Sequence, residues 1–265
     1  MGVKNQAAIL WAGLTGKRPP RSVGEIVSAV GGTARAARLA GVAQRTVQKW
    51  RKEERDATSS VRGMVRTVGG RQQAAAAAGV SERTIRDWER QERRGRTPGP
   101  RQQARMDRLR QAAATAHTRK ISDRSGVGRM QEAVLDDAQA RQQAISPRRA
   151  ARIARSGGRV QMHADVSVIS TDPLDPDRRD RKNIDVELRG PVMDETMSEW
   201  MSGGDSNSVL GKMSDAFTKH YLHSEANARA AAGEAGARWE FHAVRGMKIS
   251  QATPGETHVF EFRQE

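Results

Sequence analysis

The stretch VGGTARAARLAGVAQRTVQKWRKEER, residues 30–55, is written again 38 residues later as VGGRQQAAAAAGVSERTIRDWERQER, residues 68–93. In both copies a Gly-Gly pair opens a short Ala-rich helix, at Gly31-Gly32 and at Gly69-Gly70. Ala36, Ala37 and Ala40 are matched by Ala74, Ala75 and Ala78, and Gly41-Val42 by Gly79-Val80. A second helix carries Arg45-Thr46, Val47 and Trp50, matched by Arg83-Thr84, Ile85 and Trp88. These are the parts of a helix-turn-helix. Two short helices that cross steeply need small residues where they touch, which is the place of the alanines. The sharp turn needs a residue free to take positive φ, which is the place of Gly41 and Gly79. The valine after the glycine plugs the angle. Val47 and Trp50, three apart, seal the second helix to the first. Ser81 is a good N-cap for the second helix of the second copy. A plain αα-hairpin is the other structure that fits this pattern.

In a helix-turn-helix the exposed face of the second helix enters the major groove. In copy one that face is Gln44, Arg45, Gln48, Lys49 and Arg51; in copy two it is Glu82, Arg83, Arg86, Asp87 and Arg90. Arg45 and Arg83 suit guanine O6/N7, and Gln44 or Gln48 suits adenine. Arg51, Lys52, Arg55, Arg90, Arg93 and Arg94 suit phosphates. Two readers in one chain serve two half-sites without a dimer, and the differing faces imply that the half-sites differ.

The charge agrees with a polyanion partner. The chain has 265 residues and a net charge of +15. Residues 1–158 hold 33 Lys+Arg against 13 Asp+Glu, whereas residues 159–265 hold 13 against 18. A half with net +20 has the electrostatics of a nucleic-acid binder and exceeds what solubility needs, an anionic membrane surface or an acidic protein being the other partners that such charge fits. There is no cysteine, which excludes disulfides, Cys-based zinc sites and Cys nucleophiles. No run of about 18 apolar residues encodes a membrane span. The opening MGVKNQAAILWAGLTGKRPP has one short apolar patch and is not read as a secretory signal. A cytoplasmic, nucleoid-associated protein is expected.

GRTPGPR (95–101) reads as a linker. A helical pattern with Met106, Leu109 and Ala113 on one side and arginines on the other runs from Gln102 to about His117. ISDRSGVG (121–128) breaks it, and a helix follows from about Met130 to Ala144. Ser146-Pro147 then caps and starts a basic helix that includes Arg148, Arg149 and Arg152, candidates for the DNA backbone. From Arg159 the period changes to two. Val160, Met162, Ala164, Val166 and Val168 share one face of a strand over 159–171, and Ile184, Val186 and Leu188 make a second. STDPLDPDRRDRK between them reads as a polar loop. Helices are expected over Met193–Met201 and from Ser206 through Phe217, and closing strands at Trp239–Ala243 and Val259–Phe262. The expected architecture is mainly α with an α+β C-terminal domain: a lead-in over 1–29, helix-turn-helix units over 30–57 and 68–95, a basic helical connector over 96–158, and a small mixed sheet with helices over 159–265.

On these pieces the chain resembles a known family. AGVAQRTVQKW (40–50), AGVSERTIRDW (78–88), RRAARIARSGGRV (148–160), HADVSVIST (163–171), NIDVELRG (183–190), FTKHYL (217–222) and VFEF (259–262) follow the order of parts in the telomere-protecting terminal proteins of linear streptomycete chromosomes and plasmids. That family carries one helix-turn-helix, and this chain carries two. The resemblance implies binding to the DNA ends of a linear replicon. It also implies covalent attachment of a side-chain hydroxyl to the 5′ end, priming end replication beside a partner DNA polymerase and a telomere-associated protein. Attack on an α-phosphate calls for metal ions, so the chain needs no cofactor of its own and Mg²⁺ comes with the polymerase. The family's strand-end threonine falls on Ser170, next to Thr171, and Asp172, Asp175 and Asp177 follow as a docking point. A strand-end turn explains Ser170 and Thr171 equally well. Thr115, Thr118 and Ser122 are weaker hydroxyls, and Tyr221, at helical spacing from Phe217, fits core packing.

Other chemistries are excluded or weak. A nicking initiator needs His-x-His beside its tyrosine, and His220-Tyr-Leu-His223 has the wrong gap. No G-x-x-x-x-G-K-[ST] loop is present. The alternatives to a terminal protein are a transcriptional or plasmid-maintenance regulator with a C-terminal dimerisation or partner domain, and a replication or partition adaptor that never becomes covalent. Homo-oligomerisation is left open.

Overall fold

The computed structural model describes residues 3–96, 99–122, 126–150, 158–170, 178–181, 184–188, 191–220 and 237–251. The chain divides into two compact units, Pro20–Val134 and Met1–Pro19 with Leu135–Glu265. The first is helical and the second combines helices with a sheet, which is the mainly α architecture with an α+β C-terminal part expected from the sequence.

The helical unit shows that the repeat is longer than the quoted stretch. Its helices are α2 (Val23–Ala29), α3 (Thr33–Ala40), α4 (Gln44–Thr58), α5 (Val61–Val68), α6 (Arg71–Ala78), α7 (Glu82–Arg93), α8 (Pro100–Ser122) and most of α9 (Val127–Asp136). The period of 38 therefore holds three helices, α2–α4 and then α5–α7. Ser22 and Ser60 cap the first helix of each copy, accepting from Glu25 N and Gly63 N. Val23, Ile26, Val27, Ala36, Ala37, Ala40, Val47 and Trp50 are all buried. So are their counterparts Val61, Met64, Val65, Ala74, Ala75, Ala78, Ile85 and Trp88. Residues 1–29 are accordingly not one lead-in: α2 opens copy one, and α1 (Val3–Thr15) belongs to the other unit.

The turns follow the expected backbone chemistry. Gly41 and Gly79 sit at φ 65° and 66°. Just past them, Val42 N donates to Ala37 O at 3.0 Å and Val80 N to Ala75 O at 3.0 Å, closing the helix ends. The third helix is also tied back to the first. Glu54 accepts from Val23 N at 2.7 Å and from Gly24 N at 3.1 Å. Its counterpart Glu92 accepts from Val61 N at 2.8 Å and 3.1 Å, one distance to each oxygen. Each carboxylate sits at a helix N-terminus, where N–H groups and dipole favour negative charge.

The expected connector over 96–158 is not a separate segment. Pro100 starts α8 as its first residue, where its missing N–H costs nothing. Met106, Leu109 and Ala113 complete the core of copy two, and Gln102 accepts the Trp88 indole N–H at 2.7 Å. Farther along, the Thr118 hydroxyl meets Glu54 at 3.3 Å and accepts from Val23 N at 3.1 Å, and Gln111 bonds Glu25. One helix thus packs on both copies. The expected helix over 130–144 is two, α9 and α10 (Ala138–Ala144), because Asp137 leaves the helix and caps α10 through Ala140 N.

In the second unit β1 (Gly158–Ser170) is the centre of the sheet. Along one edge it pairs with β4 (Ala237–Gln251). Along the other it pairs with β2 (Arg178–Arg181) near its C-terminal end and with β3 (Ile184–Leu188) near its start. Every described pairing is antiparallel, so the mixed sheet expected from the sequence is corrected to an antiparallel one. Parallel neighbours need a crossover of about a dozen residues or more, and only seven residues separate β1 from β2. The polar Arg178–Arg181 stretch, read as loop, is a strand because pairing at a sheet edge uses the backbone and tolerates charge. Met162, Ala164, Val166, Trp239, Phe241 and Val244 are buried. They lie on the sheet beside α12 (Ser206–His220), on which α11 (Pro191–Ser202) packs in turn, and Phe217 of α12 stacks edge-on to Phe241 at 4.8 Å. α1 also packs on β4: Gln6 accepts from Val244 N at 2.9 Å, and a Cβ on Gly13 would meet Met247 at 2.7 Å. The expected strand over 259–262 lies outside the described residues.

Candidate nucleic-acid interface

The helix-turn-helix geometry fixes which side chains of α4 and α7 are presented. Val47, Trp50 and Glu54 turn inward on α4, as Ile85 and Trp88 do on α7. What remains outward is the expected face. Gln44, Arg45, Gln48, Lys49, Arg51 and Arg55 are exposed, as are Arg83, Arg86, Arg90 and Arg93. Arg45, Arg51, Arg55, Arg83, Arg86 and Arg93 have no side-chain hydrogen bond or ion pair to other described residues, so their guanidiniums are available. Gln44 donates to Thr33 at 3.3 Å, Lys49 approaches Glu53 at 3.9 Å, and Arg90 approaches Asp87 at 3.6 Å. These are exposed contacts that exchange readily with a ligand.

The two faces differ in charge. Over its first eight residues α4 carries Arg45, Lys49 and Arg51 and no acid, whereas α7 carries Arg83 and Arg86 against Glu82, Asp87 and Glu89. Glu89 is drawn to Arg71 of α6 at 2.9 Å. The helix starts differ too. Ser81 caps α7 by accepting from Thr84 N at 3.2 Å, while the matching Ala43 of α4 provides no side-chain cap.

The basic residues around 148–152 divide. Ser146 caps residues 147–150 through Arg149 N, as expected. Arg148 is exposed. The Arg149 guanidinium instead donates to Leu14 O at 2.7 Å and Gly13 O at 2.8 Å, closing the C-terminal end of α1. Its charge is placed at the negative end of a helix within its own unit. Arg152 lies outside the described residues. Arg141 is another inward cation, 1% exposed. It donates to Leu135 O, Trp200 O and Gly204 O and pairs with Asp136 at 2.8 Å. Burial pushes its guanidinium below its ordinary value, and Asp136 opposes that shift.

Of the hydroxyl candidates, Ser170 is the last residue of β1, in register with Ala237. Thr171, Asp172, Asp175, Asp177, Tyr221 and His223 lie outside the described residues. Thr118 is committed to Glu54 and Val23. A hydroxyl that the sequence did not single out is Ser167, 2.7 Å from His242 Nε2. The pairing register slips by one at His242 and again at Arg245, and these bulges aim His242 at Ser167 and Arg245 at Asp165, 2.7 Å away. Ser167 is fully buried, so its hydroxyl is closed to substrate and the contact ties β1 to β4. Among the described residues no group of three or more His, Asp or Glu side chains is placed to hold a metal ion, and no described helix is long and apolar enough to cross a membrane. No family model, curated protein or solved structure matches the chain.

Proposed function

We propose that this chain is a double-stranded DNA-binding protein that reads two unlike half-sites through α4 and α7. The observation that carries the reading is the duplicated three-helix unit, with the second helix of each helix-turn-helix anchored by a buried tryptophan and lined outward by unpaired arginines. Arg45 and Arg83 occupy the same place in both units, where a bidentate pair to guanine is reached. The net charge of +20 over residues 1–158 supports an affinity dominated by phosphates.

The resemblance to telomere-protecting terminal proteins refines the proposal. The DNA is then the end of a linear replicon, and a hydroxyl at the end of β1, Ser170 or Thr171, accepts the first nucleotide while a partner polymerase supplies Mg²⁺. A transcriptional or plasmid-maintenance regulator shares the DNA-binding half of this reading and lacks the covalent step.

Two measurements test it. Selection of duplexes from a random library by the full chain is expected to enrich a bipartite site with unequal halves. Recovery of unenriched sequence rejects the groove assignment. Mass spectrometry of protein recovered from its own cells after nuclease digestion is expected to find a nucleotide adduct on Ser170 or Thr171. Protein with no adduct leaves the DNA reader standing and removes the terminal-protein refinement.

A further inference from the structure

We infer that the arginines along one side of α8, Arg101, Arg105 and Arg108, form a phosphate-binding surface that helps hold the second copy on DNA beside its recognition helix α7, whose arginines are matched by as many acids. The inference rests on the DNA-binding reading above and adds a third element to it.

The first observation is geometric. Residues 101, 105, 108, 112, 115 and 119 follow the i, i+4, i+7 spacing that places side chains on one stripe of a helix. The stripe holds Arg101, Arg105, Arg108 and Arg119, all exposed. It lies between the face of α8 packed on copy two and the face turned to copy one. Met106, Leu109 and Ala113 are turned into the core of copy two, and Gln111 and Thr118 toward Glu25 and Glu54 of copy one. α8 is thereby clamped from two directions, and its free ridge keeps a fixed place beside both readers.

The second observation is electrostatic. None of these four arginines has a side-chain hydrogen bond or ion pair to other described residues. The one acid in the described part of α8, Asp107, is taken by Arg110 at 2.6 Å and by Gln103 at 3.1 Å. The ridge is uncompensated positive charge. Three guanidiniums fall along about 10 Å of helix between Arg101 and Arg108.

The third observation says where the charge is aimed. The Arg108 guanidinium lies over Gly79, the turn of the second helix-turn-helix, so that a Cβ there would be 3.5 Å from Nη1. That turn leads into Ser81 and the N-terminal end of α7, the end of a recognition helix that approaches base edges. α7 itself brings Glu82, Asp87 and Glu89 to this region, which phosphates repel. Arg108 and its neighbours place cations at its flank, on a strand backbone, where sequence is not read and charge is needed.

The test uses the full chain and a fluorescein-labelled duplex of random sequence, with affinity followed by anisotropy over a salt series. The triple variant R101Q/R105Q/R108Q is expected to lower the slope of log K against log salt by roughly 2 to 3, at about 0.9 per phosphate contact. The variant R101K/R105K/R108K is expected to keep the wild-type slope, since it keeps the charge. A glutamine variant with the wild-type slope overturns the inference while leaving the DNA reader intact. A lysine variant that loses the slope together with the glutamine variant also overturns it, because shape rather than charge is then at work. A wild-type chain with no salt-dependent binding overturns the inference and the DNA-binding reading together.

Discussion

In the first copy α4 presents Gln44, Arg45, Gln48, Lys49 and Arg51, and its first acid is Glu53. The matching positions of the second copy are Glu82, Arg83, Arg86, Asp87 and Glu89. Beneath these faces the two units are built alike. The capping serines, the turn glycines near φ 65°, the buried alanines, the tryptophan and the glutamate that reaches back to the first helix all recur at an offset of 38. Positions that set backbone path or fill the core have little freedom, because interiors are close-packed and a positive φ excludes most residues. Exposed positions have no such constraint, so they can diverge toward different ligands. The comparison teaches that the duplication preserved a scaffold and let the exposed faces diverge: the first eight residues of α4 carry bases and no acid, while those of α7 carry both.

The most severe way to break the comparison is to remove the shared core. Trp50→Ala and Trp88→Ala are each expected to cost about 3–5 kcal/mol of stability, measured by denaturant unfolding. Near-equal losses support equivalent cores. A negligible loss in either copy breaks the equivalence. The second test separates the back-reaching glutamates. Glu54 meets two backbone N–H groups and Thr118, whereas Glu92 meets one N–H with both oxygens. Glu54→Ala is expected to cost roughly 2–3 kcal/mol and Glu92→Ala roughly 1–2, at the scale of hydrogen bonds to a charged group. A reversed order says that Thr118 and α8 contribute little to copy one.

DNA binding sharpens the contrast between the faces. Arg45→Ala and Arg83→Ala are each expected to lose about 1–3 kcal/mol of affinity for the selected site and to relax one base position. The larger loss is expected for Arg45, whose helix has no acid in its first two turns. Equal losses in anisotropy titrations indicate that the acids of α7 face away from DNA. The smallest effect concerns helix starts. Ser81→Ala is expected to cost about 1 kcal/mol, and Ala43→Ser to gain a similar amount, if the cap is the only difference. Thermal unfolding of both variants measures this directly, and a destabilising Ala43→Ser shows that the two helix entries differ in backbone.

The residues that made the repeat legible were those with one physical use. Gly-Val at a turn, Ala-Ala-x-x-Ala at a crossing and Trp at i+3 from a β-branched residue define a helix-turn-helix without reference to anything distant. The first helix of each unit was harder to see. SVGEIVSAV and SVRGMVRTV share the capping serine and three valines at the same spacing, but Gly24 and Gly63 obscure a helical period. Gly24 is explained only in three dimensions: its N–H is held by Glu54, 30 residues away, and a Cβ would sit 2.9 Å from that carboxylate.

By itself the sequence determined the repeat, the outward arginines, the change from helical to alternating period near residue 159, and the electrostatic asymmetry between the halves. All of these are local patterns or sums over the chain. The tertiary structure decided the rest. It drew α8 out of a supposed connector and into the core of copy two, and it drew α1 to a strand more than 220 residues away. It also turned Arg149 and Arg141 inward while leaving Arg101, Arg105 and Arg108 at the surface. An arginine spells the same charge in either place. Only the packing of distant segments determines whether its donors meet the carbonyls at a helix end or remain open to a phosphate.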